Sequence, residues 1–279
     1  MKANIALNKT ACLTKWLAYC GMLFGVTLLL INLYGLTQTL RPAGLAPAYF
    51  RFGAADLKLS QASFRREVER YPDEPNDQYV NRLTTVIADG MAHIHWPRYE
   101  ASRFNQRVPL WENYILWAMS YLTSIPEYER YHFTDPQKSI ERGIGICGDA
   151  SILMSRMLDK NSIDNRIVTI PGHVLIEASL DGGWSAFDPD YGVVLGLSAS
   201  SAALQPQTVK NAYLSTGHSP YDADFVASRL QERIRYWGGV DGFIGKKYYF
   251  EKFAYFAKWC LPAMLILAPA LTYRVRKRR

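Results

Sequence analysis

The stretch that decides the fold spans residues 142–192: RGIGICGDASILMSRMLDK (142–160), NRIVTIPGHVLIEA (165–178) and GGWSAFDPDYG (182–192). Its first part is a Gly-rich turn followed by a helix that opens on Cys147 and carries Ile152, Leu153, Met154, Met157 and Leu158. Residues 166–170, 173–178 and 184–187 then read as strands, separated by Pro171-Gly172 and by the turn Asp181-Gly182-Gly183. Successive hairpins make an antiparallel sheet, and a helix followed by such a sheet is an α+β arrangement.

Upstream, Asp135 caps a short helix that has Pro136 at its first position and stops at Gly143. Residues 109–121 (PLWENYILWAMSY) are dense in apolar residues at helical length and read as a core helix. A helix over 76–90 carries Val80, Leu83 and Ile87 on one face, a charged helix is expected over 61–71, and a Pro-containing linker covers 37–49. Downstream, 206–214 and 221–236 read as helices, the second broken by Gly238-Gly239.

At both ends the pattern changes to that of a membrane chain. Residues 16–36 contain no charge over 21 positions, enough for a helix to cross a hydrocarbon core. Residues 253–273 form a second such stretch with Lys258 as its only charge, near enough to an edge to snorkel. Lys2, Lys9 and Lys15 precede the first, and Arg274, Arg276, Lys277, Arg278 and Arg279 follow the second, so the positive-inside rule places both tails in the cytoplasm. The expected organisation is a basic tail (1–15), a span (16–36), a helical region (37–107), a main domain (108–252), a second span (253–273) and a basic tail (274–279). Everything between the spans is then extracytoplasmic, in the periplasm if the cell is Gram-negative. A cleaved signal peptide is the competing reading of the first span, with Ala46-Pro47-Ala48 resembling a cleavage site. It fits less well, because the uncharged stretch is long and that triplet lies well beyond its end.

The formal charge of +7 comes from these tails, leaving a near-neutral middle, so the basic balance is no argument for nucleic acid as a partner. Of the four cysteines, Cys12 lies in the first tail, Cys20 and Cys260 in the spans, and only Cys147 in the external region. It has no partner there in a compartment where thiols are usually paired. A buried apolar cysteine or an intermolecular disulfide would account for that equally well.

The chemistry around Cys147 offers a third account. A helix N-terminus presents unpaired N–H groups and a positive dipole end, which favour a thiolate, the nucleophilic form. Of the five histidines, His173 is the best placed to accept its proton, since it opens a strand directly after a tight turn; His93, His95, His132 and His218 have no comparable neighbours. Asp188 ends the next strand, where the hairpin can bring a carboxylate beside the imidazole. Each residue alone has a structural reading: a core thiol, a strand histidine, a turn aspartate. Zinc lacks the C-x-x-C or H-x-x-x-H spacing of a closed site, and GIGICGD is too short for a phosphate loop, so neither metal nor cofactor is implied.

Together these residues resemble the core of the transglutaminase-like superfamily, relatives of papain-type cysteine peptidases. The resemblance rests on G-x-C before a small-apolar helix, R-x-V before Gly172-His173, and W-x-x-x-D-P at 184–189, and covers about 50 residues. It implies a Cys147–His173–Asp188 triad in a papain-like core, which the two apolar stretches set between two transmembrane helices. It also implies acyl transfer or hydrolysis at an amide of a peptide, protein or envelope-polymer substrate. The family adds an upstream oxyanion donor, for which Trp111 and Asn113 are the candidates. Membership is equally compatible with a non-catalytic scaffold that binds a partner in envelope or polysaccharide assembly.

Overall fold

The computed structural model describes residues 2–277. Arg278 and Arg279 lie outside the described residues, as do the side chains of Lys2, Lys9, Cys12, Arg274, Arg276 and Lys277. The chain is α+β. Its helices are α1 (Lys2–Gly35), α2 (Gln61–Glu67), α3 (Asn76–Gly90), α4 (Tyr114–Leu122), α5 (Pro126–Glu129), α6 (Pro136–Arg142) and α7 (Cys147–Lys160). The strands β1 (Asn165–Ile170), β2 (His173–Leu180), β3 (Gly183–Asp188) and β4 (Val193–Val194) follow. Then come α8 (Ala199–Ala203), α9 (Pro206–Ser215), α10 (Pro220–Glu232), β5 (Arg235–Trp237) and α11 (Gly239–Lys277).

These elements form two compact units. One holds residues 40–106 and 130–249; the other holds 1–39, 107–129 and 250–279. Residues 107–129, read from the sequence as part of the domain 108–252, therefore group with the terminal helices.

In the first unit the strands pair antiparallel in the order β4-β3-β2-β1-β5. Ile170 pairs with His173 across Pro171 and Gly172, and Gly172 has φ +80, which glycine adopts without steric penalty. Both faces of the sheet are covered. Ile167, Ile176 and Phe187 pack with α3 and α7, through Val80, Leu83, Ile87, Leu153 and Met157. Their neighbours Val168, Leu175 and Ala186 face the other way, onto Val209, Tyr213, Val226 and Leu230 of α9 and α10. Side chains alternate along a strand, so a sheet buried on both faces needs apolar residues at consecutive positions, as RIVTI and HVLI supply.

Three expected boundaries move. The helix expected over 221–236 ends at Glu232, and Arg235–Trp237 instead pairs with β1, with Ile167 opposite Trp237. A short edge strand is selected by its partner, which local propensity does not register. The helix expected over 109–121 starts only at Tyr114, where Asn113 caps it, and the helix over 61–71 stops at Glu67.

In the second unit, Lys15–Gly35 of α1 is the one segment, among the described residues, long and apolar enough to cross a membrane, at mean hydropathy 1.8 over its best window. The second expected span, 253–273, lies within the helix α11, and its last residues, 270–273, are outside those whose side chains are described.

Leu153 is fully buried between α7 and the sheet, whereas Leu204 is 84% exposed. Denaturant unfolding of Leu153→Ala should show a loss of about 3 kcal/mol from the cavity left behind. Leu204→Ala should change stability by less than about 0.5 kcal/mol.

Candidate active site

Cys147 is the first residue of α7, so its N–H has no acceptor within the helix. Ile146 at the cap position has no side-chain acceptor to offer. Asp149 supplies only the reciprocal bond of a capping box, with Oδ2 accepting the Ile146 N–H at 3.1 Å. The other oxygen of Asp149 accepts from Arg142 Nη2 at 3.0 Å, while Arg142 Nη1 reaches the Tyr131 carbonyl at 2.6 Å. His132 Nδ1 stands 2.9 Å from Oδ2. Burial opposes the charge on Asp149, but His132, Arg142 and the Ile146 N–H outweigh it and hold the carboxyl below its ordinary range. A buried ion network thus anchors the turn that presents the thiol.

One turn further along α7, Ser151 Oγ donates to the Val174 carbonyl at 3.1 Å, pinning the helix beside the start of β2. His173 is the first residue of that strand, and Cys147 is among the neighbours that raise its titration value. The β2–β3 register runs Ile176 opposite Phe187, and its next step sets Asp188 opposite Leu175. His173, two residues along, shares that face, and its Nε2 lies 2.6 Å from Asp188 Oδ2. With Nε2 committed to the carboxylate, Nδ1 is the nitrogen left to exchange a proton with sulfur. Cys147 itself is half-buried and free of disulfide.

Asp188 is fully buried and saturated with donors. Besides His173, the Tyr213 hydroxyl of α9 donates to Oδ2 at 2.5 Å, and the N–H groups of Asp190 and Tyr191 donate to Oδ1 at 3.0 and 3.2 Å. Burial raises its carboxyl value, but the facing His173, the Tyr213 hydroxyl and the backbone outweigh that and lower it. Burial likewise works against a charged His173, yet Asp188 and then Cys147 raise its value well above the ordinary 6.5. The pair therefore favours carboxylate and imidazolium.

Behind the Asp188–Tyr191 turn lies a second buried cluster. Asp190 takes Arg51 Nη2 at 2.8 Å, Asp56 Oδ1 stands 3.0 Å from His93 Nδ1, and His93 Nε2 is 3.4 Å from Asp190 Oδ1. The Arg51 guanidinium also lies over the Phe52 and Tyr191 rings at 4.3 and 4.8 Å. A cleft of about 590 Å³ opens here, lined among others by Arg51, Phe52, Asp89, Tyr191 and His218, and by none of Cys147, His173 or Asp188.

The structure thus brings Cys147, His173 and Asp188 together. Trp111 and Asn113 belong to the other compact unit, where Asn113 Oδ1 accepts from the Ile115 and Leu116 N–H groups as the α4 cap. No sequence signal marked Tyr213, Arg51 or Asp190 as partners of this site. Asp149 had one: an acidic residue in the first turn of the cysteine helix. Among the described residues, no group of three or more His, Cys, Asp or Glu is arranged to hold a metal ion. Compared with protein-family models, curated proteins and solved structures, the chain matches none.

Tyr213→Phe removes one donor from a buried carboxylate and should raise the Asp188 carboxyl toward its ordinary 3.8. Because the folded value lies below the unfolded one, Asp188 contributes stability above about pH 4 and loses it as pH falls through the folded value. The variant should lose about 1–3 kcal/mol at neutral pH, since a buried acceptor is left short of a donor. Its acid-unfolding midpoint, followed by circular dichroism, should move to higher pH.

Proposed function

We propose that this protein is a membrane-anchored thiol enzyme that performs acyl transfer or hydrolysis at an amide of an extracytoplasmic peptide, protein or envelope polymer. The observation that carries the reading is the continuous path from a thiol at a helix start, through His173, to a buried and fully hydrogen-bonded Asp188. The motifs at 142–192 support it through their resemblance to transglutaminase-like enzymes.

In this mechanism His173 Nδ1 takes the Cys147 thiol proton as the sulfur attacks, and Asp188 holds the resulting imidazolium and its orientation. The sulfur attacks the amide carbonyl, and the Cys147 N–H faces the developing oxyanion. Collapse breaks the C–N bond, His173 Nδ1–H protonates the departing amine, and an acyl thioester remains on Cys147. Water or a second amine then attacks the thioester and gives its proton to His173, and the acyl group leaves sulfur. With water the result is hydrolysis; with an amine it is transamidation.

The membrane part of the reading adds a second span. Within the helical unit, the position of Gly25 in α1 faces Pro262, Leu265 and Ile266 of α11, while Asn32 Nδ2 donates to the Lys258 carbonyl at 2.6 Å. Rising numbers in α1 meet falling numbers in α11, so the two helices run antiparallel. An antiparallel pair with basic residues at both chain ends suits a two-pass hairpin with both tails cytoplasmic.

Labelling by iodoacetamide at neutral pH tests the catalytic reading. An ordinary cysteine is only a few per cent thiolate at pH 7, so an ion-paired Cys147 should react about tenfold or more faster than a free thiol. His173→Ala should remove that excess, and Cys147→Ala should abolish the external label. Labelling at a free-thiol rate that His173→Ala leaves unchanged would sink the enzyme reading and favour a non-catalytic scaffold.

A further inference from the structure

Residues 107–129 pack with α1 and the second part of α11, and side chains near the start of α4 are tied to α11 at the level of Lys258. The Tyr114 hydroxyl donates to the Lys258 carbonyl at 2.9 Å, and Lys258 Nζ donates to the Glu112 carbonyl at 2.6 Å. The Tyr255 hydroxyl donates to Glu112 Oε1 at 2.6 Å. Asn32 reaches the same Lys258 carbonyl from α1, and Asn32 lies three residues before Gly35, where the apolar segment ends. At about 1.5 Å per residue, that puts the start of α4 within about one helical turn of the end of the span.

From that point the chain runs YILWAMSYLTSI, residues 114–125, without a charge. Tyr114, Leu116 and Ser120 face inward, but Leu122 is 82% exposed, and Leu110, Tyr121 and Ile125 are exposed as well. Trp111 and Trp117 are half-buried beside them. A solvated helix would carry charge on its outer face; this one carries apolar and aromatic side chains. Tryptophan and tyrosine concentrate where headgroups meet acyl chains, because one end of each ring is apolar and the other polar.

We propose that residues 110–125 form an interfacial element seated in the lipid boundary at the Gly35 end of α1, with the bilayer surface as its partner. The proposal rests on the membrane reading of α1. Lipid is favoured over a protein partner because the exposed face continues directly from a segment long and apolar enough to span the bilayer. Trp111 is then a membrane-boundary side chain, and Asn113 the cap of the interfacial helix.

The full chain in lipid nanodiscs, with Cys12, Cys20, Cys147 and Cys260 replaced by serine, tests this by spin labelling. A nitroxide at Leu122→Cys is compared with one at Leu23→Cys in α1 and one at Leu204→Cys in α8–α9, using collisions with oxygen and with a water-soluble nickel chelate. The expected oxygen-to-nickel ratio at 122 is severalfold above that at 204 and approaches that at 23. Ile125→Cys gives an independent second reading if the Leu122 variant folds poorly. A water-like ratio at 122 and 125 beside a lipid-like ratio at 23 overturns the proposal and leaves the membrane reading intact. Exclusion of both reagents at 122 shows protein covering the face, such as a second copy, and overturns it too. A water-like ratio at 23 removes the membrane reading and this inference together.

Discussion

A carboxylate shielded from solvent must find its donors inside the protein, and Asp188 draws them from three directions at once. His173 comes from β2, Tyr213 from α9, and two N–H groups from the turn that Asp188 itself begins. Losing any of them leaves charge uncompensated in a medium that solvates it poorly. The strand register, the placement of α9 over the sheet and the shape of the Asp188–Tyr191 turn are therefore parts of one constraint. The raised value of His173 is its consequence, because a carboxylate held ionised is what makes a buried imidazolium tolerable.

The same logic is repeated around it. Asp149 holds the start of α7 with Arg142 and His132, and Asp190 is held by Arg51, which the region before α2 supplies. The thiol, the histidine and the aspartate thus each stand next to backbone fixed by buried ionic or hydrogen-bonded contacts. Side chains held by such surroundings keep their geometry more closely than residues on free loops. The N-terminal helical region gains a physical role from this: Arg51, Asp56 and His93 brace the turn that carries Asp188.

The helical unit is governed by a different balance. Gly25 permits close approach, since a Cβ there would stand 2.8 Å from Leu265 Cβ. Under the proposed membrane reading, where burial of apolar surface gives little advantage between helices, such packing together with interhelical hydrogen bonds would supply the association. Asn32, Glu112, Tyr114 and Lys258 form a hydrogen-bonded junction at one end of the apolar segment, which under that reading lies where polar groups cost less than at a bilayer centre.

Much of the sheet unit was legible in the chain itself. Helical periodicity after Cys147, the Pro171-Gly172 turn and the runs of β-branched residues specify α7 and the three central strands, because each signal acts within a few residues. The candidate triad was legible for the same reason: its members sit at the starts and ends of those local elements. Tyr213, Arg51 and Asp190 were not, since their roles come from approaches across many residues that no local pattern encodes. Nor was β5, whose three residues become a strand only by pairing with β1. The stretch 109–121 marks the limit most clearly. Its composition reads alike for a helix inside a protein core and for one beside terminal helices, and only tertiary contacts assign it to the second. The sequence by itself determined which segments are helix, strand and apolar stretch, through short-range sterics and periodicity; the tertiary structure alone decided which buried charges meet and what each apolar face is packed against.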